Sequence, residues 1–281
     1  MRSRVLLALL GSLAGCSLFV DTGGLGGEAQ TSAVDASGDA STSGTDAADE
    51  AVVPNGDAGE TGDAADAGDA GGLPGLVGHW TFDEGSGSTT MDVSGHGHHG
   101  IIFGGTWVAD RHGVAGRALF LNGKSDGGGG DFVSVTAHPD FDRPANAKLT
   151  VTAWVRFDSP PGHENVVTFD YGGGGAYDLE FLDANTLTYF DGIDHVAQGT
   201  VPNVVGAWHH LGVVIDGAES RTYFDGVRIG QGAANTTPRV AQFVQFGADF
   251  ASDVFVRMAF DEVRIYRAAL DDAQMLADKN R

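Results

Sequence analysis

Cysteine is all but absent. Cys16 is the only one in 281 residues, so no intramolecular disulfide can form, and packing or a bound metal must hold whatever folds. Basic residues are scarce as well: 16 Lys and Arg stand against 38 Asp and Glu, a net charge of −22 that argues against nucleic acid or an anionic membrane face as partner. No apolar run reaches the roughly 20 residues that a bilayer-spanning helix requires. The run nearest the start, Val5 to Leu10, follows Arg2 and Arg4 and leads into Leu13-Ala14-Gly15-Cys16, the layout of a signal peptide over residues 1–15. From Asp21 to Gly72 there is no Lys, Arg or aromatic residue, and twelve acidic residues lie among Gly, Ala, Ser and Thr. Such a composition cannot build a core, so residues 16–72 are expected to form a disordered acidic tether with a root-mean-square span of roughly 40 Å. Enzyme signatures are missing too: there is no Gly-x-Ser-x-Gly elbow, and neither Gly127 to Gly130 nor Gly172 to Gly175 ends in the Lys-Ser/Thr of a phosphate loop.

What remains, residues 73–281, is rich in strand and turn chemistry. About a dozen short apolar runs are separated by Asn122-Gly123, Asp191-Gly192, Asp216-Gly217 and Asp225-Gly226, the spacing of an antiparallel β-sandwich. Trp208 to Gly230 is the clearest stretch. Leu211, Val213 and Ile215 alternate as in a half-buried strand, and Asp225-Gly226 suits a two-residue hairpin with positive φ at both positions. Three strands and two turns follow, a β-meander. In Leu149 to Phe157 both alternating faces can pack, as expected of a central strand. Near the end, Leu270-Asp271-Asp272-Ala273-Gln274-Met275 reads as a short helix, with Asp271 capping, Gln274 returning the bond and Leu270 stapled to Met275.

The order of these segments resembles the laminin-G-like, concanavalin A-like jelly-roll domains of secreted bacterial proteins. Five stretches carry the likeness: Leu76 to Gly85, Asp92 to Gly100, Leu149 to Phe157, Trp208 to Gly230 and Phe260 to Tyr266. The resemblance implies an all-β fold of two antiparallel sheets, but it leaves function open, because this fold hosts lectins, glycosidases, adhesion modules and spacers. Leu13 to Cys16 in turn resembles a bacterial lipobox, which implies a lipid on Cys16 and an envelope location, the outer membrane by the enteric sorting rule. If the first and last strands pair as in jelly-roll relatives, Asp83 and Asp261 lie at neighbouring ends. With the Gly123 carbonyl, they would then either hold a structural calcium or bond loop amides.

Among the remaining residues, His96, His98 and His99 read as a turn capped by Asp92 in preference to a zinc site, and His209 and His210 read as strand-start packing residues. Trp154 and Trp208 are expected in the core. A ligand face is expected between Tyr171 and His195, from Tyr171, Tyr177, Asp178, Glu180, Tyr189, Asp191, Asp194 and His195, because aromatic faces stack on sugars while carboxylates fix hydroxyls. Glycosidases of the resembled fold carry a Glu-x-Asp-x-x-Glu arrangement, which is absent here. The expectation is therefore a non-catalytic, monomeric binding module for a glycan or an extracellular protein. A passive spacer and a divergent glycoside-active enzyme are the alternatives.

Overall fold

The computed structural model describes residues 72–124, 129–171, 176–249 and 254–281. The signal peptide, Cys16, the tether up to residue 71, the first half of the Gly127 to Gly130 turn and Gly172 to Gly175 lie outside the described residues. In chain order the strands are β1 (Leu76–Trp80), β2 (Thr89–Thr90), β3 (Gly100–Phe103), β4 (Thr106–Val108), β5 (Ala118–Asn122), β6 (Phe132–Thr136), β7 (Lys148–Phe157), β8 (Glu164–Asp170) and β9 (Ala176–Asp183). They continue as β10 (Thr186–Phe190), β11 (His195–Thr200), β12 (Trp208–Asp216), β13 (Glu219–Phe224), β14 (Val227–Ala233), β15 (Phe243–Phe246), β16 (Ala248–Asp249), β17 (Val254–Phe255) and β18 (Arg257–Tyr266), followed by helix α1 (Asp272–Lys279). The first sheet runs β14-β13-β12-β7-β18-β5-β4, with β1 also on β18; the second runs β11-β10-β9-β8-β15-β6-β3-β2.

This is the expected two-sheet antiparallel sandwich, and the expected meander is β12-β13-β14. Asp225 and Gly226 both take positive φ, 50° and 78°, so the hairpin has the twist that its strands require. Strand β7 sends Leu149, Val151, Ala153, Val155 and Phe157 into the core, where they meet Leu211, Val213 and Ile215 of β12. The opposite face of β12 is buried as well, because α1 lies over it: Met275 and Leu270 pack with Val214, Tyr223 and Tyr266. The helix starts as its sequence requires, with Asp271 accepting from the Gln274 amide and Gln274 returning a bond to the Asp271 amide.

The two sheets touch at one edge, where β11 passes β14. A Cβ on Gly230 would stand 2.1 Å from the Ala197 carbonyl oxygen, so glycine is what allows that approach. Thr222 seals it with a 2.5 Å hydrogen bond from its hydroxyl to the same carbonyl. A sandwich of this kind presents two outward faces, and both carry candidate sites.

Candidate functional site

On the outward face of the first sheet, strand alternation places Trp154 of β7 and Trp208 of β12 away from the core, with Trp208 paired to Arg156 and Trp154 to His210. Both rings are only half-buried. This corrects the expectation that they are core residues: β7 has large side chains on both faces, and its inward set is the one that contains Val151 and Val155. The two tryptophans line a cleft of about 460 Å³ with Arg111, His112 and the segment Lys279, Asn280 and Arg281 that follows α1. Arg111 lies over the Trp154 ring at 5.4 Å from its centroid, and Arg156 over the Trp208 ring at 5.3 Å. The volume falls within the roughly 300–1,000 Å³ range of small-molecule sites.

The segment expected to bind ligand divides between two faces. Tyr171, Tyr177 and Tyr189 are 9, 2 and 2% exposed, and their rings pack against one another inside the sandwich with the buried Arg143 guanidinium 4.1 Å from the Tyr177 centroid. They cannot stack on a sugar. Alternation along β9 puts Tyr177, Leu179 and Phe181 inward and Asp178 and Glu180 outward. Asp191 is a turn residue, accepting from the amides of Ile193, Asp194 and Asn235, and Asp194 sits exposed in that turn. Asp178, Glu180 and His195 do come together.

Across the outward face of the second sheet, Gln245, Thr168, Asp178, Phe190 and His195 stand in register on five successive strands. A small cleft of about 120 Å³ opens at its β10–β11 end, lined by His163, Asn165, Asp178, Glu180, Phe190, His195 and Asp249. His163 Nε2 lies 3.0 Å from Glu180 Oε2, and His195 Nε2 lies 2.8 Å from Glu180 Oε1. Burial, and then Asp249, push the Glu180 carboxyl up to about 8. Asp178 is raised too, by burial first and by both neighbouring carboxylates. Asn165 Oδ1, Glu180 Oε1 and Gln245 Oε1 are buried without a hydrogen-bond partner among the described residues. His163, Asn165, Phe190 and Asp249 were not among the expected site residues. Asn165 could have been found from its register with Glu180, but His163 precedes its strand and carries no such signal.

The corner proposed for calcium is occupied by side-chain partners. β1 does pair antiparallel with β18, yet Asp261 accepts a 2.9 Å bond from Arg111 at a bulge in β18. A guanidinium already supplies the positive charge there, and burial still holds Asp261 up at about 7. Glu262 beside it is paired with His79 and Arg264, Asp83 is half-exposed with Arg117 at 3.7 Å, and the Gly123 carbonyl accepts from the Asp131 amide. In the histidine-rich turn, Asp92 caps the amides of Ser94 and His98 as expected, and His99 accepts from the Asp92 amide. Distant residues add to this turn: Asp140 Oδ2 lies 2.9 Å from His98, 3.1 Å from His138 and 3.5 Å from His96.

A family model described as the concanavalin A-like lectin/glucanases superfamily matches residues 117–275, from β5 into α1. The chain belongs to this superfamily. No curated protein sequence matches it. Among solved structures, the binding domain of Paraclostridial mosquitocidal protein 1 superposes with a TM-score of 0.56 at 14% identity, over 73% of this chain and 52% of that one. Trypanosoma rangeli sialidase in complex with sialic acid gives 0.55 at 16%, over 72% and 32%. Domain 4 of AbnA, an extracellular arabinanase of Geobacillus stearothermophilus, in complex with arabinotriose, gives 0.54 at 19%, over 73% and 98%. The chain thus spans about half of the first of these and about a third of the second. At these identities the likeness is one of fold, so this superfamily member's function must be argued from its own clefts.

Proposed function

We propose that this domain is a non-catalytic binding module that takes an acidic glycan in the Trp154/Trp208 cleft. The observation that carries the reading is the pair of half-buried, outward-facing indoles in a cleft of about 460 Å³ that Lys279 and Arg281 also line. Indole faces stack on sugar C–H surfaces, while Lys279 and Arg281 favour a carboxylate or sulfate. Asp261 and Glu262, which contact the cleft residue Arg111, are bound to Arg111, His79 and Arg264, which supports binding over hydrolysis: the usual glycosidase needs a free acid and a free base or nucleophile flanking the bond. A neighbour of the same fold in complex with arabinotriose, matched over 98% of its length, supports a sugar site on this scaffold.

The test is a glycan array followed by calorimetry with the full chain. Sialylated or uronate-containing oligosaccharides are expected to bind more tightly than neutral ones, with affinity falling as salt rises. Trp208→Ala should weaken binding at least tenfold, while Tyr177→Phe, on the far side of the sandwich, should leave it unchanged. An array with no acidic glycan bound, or a Trp208→Ala protein with full affinity, would refute the reading.

A further inference from the structure

We propose that His163, Glu180 and His195, on the outward face of the second sheet, form a transition-metal site that takes zinc and leaves a coordination position open to the cleft. The glycan reading concerns the opposite sheet, so either can fail without the other. Three observations carry the metal site. First, the donor atoms of the three side chains all lie within 4.8 Å of one another. Zinc bonds of about 2.0–2.1 Å in a tetrahedron place ligand atoms roughly 3.3 Å apart, close to the 3.0 Å from His163 Nε2 to Glu180 Oε2 and the 2.8 Å from His195 Nε2 to Glu180 Oε1, so small side-chain shifts would admit the ion.

Second, the existing contacts do not satisfy the groups. Glu180 Oε1 stands 2.8 Å from His195 Nε2 without a hydrogen bond to it, although Glu180 Oε2 is bonded by His163 and Asn165, and Asn165 Oδ1 nearby is also without a partner among the described residues. Acceptor oxygens buried without a partner among the described residues suit a cation or a hydrated cation, since each unbonded buried polar group is costly. Third, the size is right. The cleft of about 120 Å³ is below the usual range for organic ligands and holds roughly four waters at about 30 Å³ each, enough for an ion with a coordinated water or ligand atom.

The donor set selects the metal. Two imidazoles and one carboxylate suit zinc and its neighbours, whereas calcium and magnesium take all-oxygen shells. Glu180 is buried while His163 is 52% exposed, so the carboxylate would anchor the ion and the imidazoles would close over it from the solvent side.

The experiment strips the full chain with EDTA, desalts it and titrates it with zinc chloride by calorimetry, with cobalt(II) absorbance as a second readout. One zinc per chain is expected at an affinity on the order of 1 µM or tighter, with a visible cobalt band. Glu180→Gln and His163→Ala should each weaken binding at least tenfold; His163 is largely exposed, so its variant tests the site even if Glu180→Gln does not fold. His98→Ala, in the turn with Asp140, should leave the affinity unchanged. Absence of zinc binding would overturn the proposal. So would binding that survives Glu180→Gln and His163→Ala but disappears in His98→Ala, which would place the ion in the histidine-rich turn.

Discussion

Replacing Asp278 with Asn is expected to lower the stability of the domain by about 3–5 kcal/mol, because it leaves buried partners without their anion. Asp278 lies in α1 and is fully buried beneath the helix. Its carboxylate is 3.0 Å from His210 Nε2, accepts from the Tyr266 hydroxyl and lies 3.6 Å from Arg264. These are the bonds by which α1 is fixed to β12 and β18, and the His210 and Arg264 contacts hold the carboxyl well below the usual carboxylate range against a burial penalty. A folded-state pKa below the unfolded value means that the stabilisation is fully present above about pH 4 and is lost as pH falls through the folded value. Urea denaturation should therefore show a large gap between wild type and Asp278→Asn at pH 7 that narrows as pH falls below about 4. A variant with wild-type stability at pH 7 would contradict the network.

Trp80→Ala should be of similar severity, for a different reason. The Trp80 ring is completely buried, meets Phe246 edge-on at a centroid distance of 5.0 Å, and donates its indole N–H to the His98 carbonyl at 2.8 Å. Truncation would cost about 3–5 kcal/mol for the cavity. The unpaired carbonyl would add about 1–3 kcal/mol. For a domain of this size the thermal midpoint should fall by on the order of 10 °C or more. Trp80→Phe should recover most of the packing but not the hydrogen bond, so a Phe variant as damaging as Ala would show that the bond to the Asp92–Gly100 turn dominates.

Much of the scaffold was legible because its signals are local. The Asp225-Gly226 hairpin, the Asp271/Gln274 capping box and the two-faced β7 strand each follow from residues within one turn or one strand of one another. The site was harder to read because it depends on which face of a strand becomes interior. Tyr177 and Asp178 are adjacent and therefore face opposite ways; apolar Leu179 and Phe181 decide that the tyrosine side is the inner one. The same rule sends Trp154 outward, although its strand alone gives large residues to both faces. Partners that arrive from far along the chain left no mark at all: Arg111 reaches Asp261 across 150 residues, and Asp140 reaches His98 across 42.

If the domain binds glycan as proposed, the outward indoles of the first sheet, and not the tyrosines of the interior, meet the ligand. The chain contains four tryptophans, Trp80, Trp107, Trp154 and Trp208, so four indole N–H signals report on it in a ¹H–¹⁵N spectrum of the full chain. On titration with sialyllactose, the Trp154 and Trp208 signals should shift together along one saturable curve while the buried Trp80 signal stays in place. Movement confined to Trp80 or Trp107, or no movement of any indole at millimolar ligand, would contradict it.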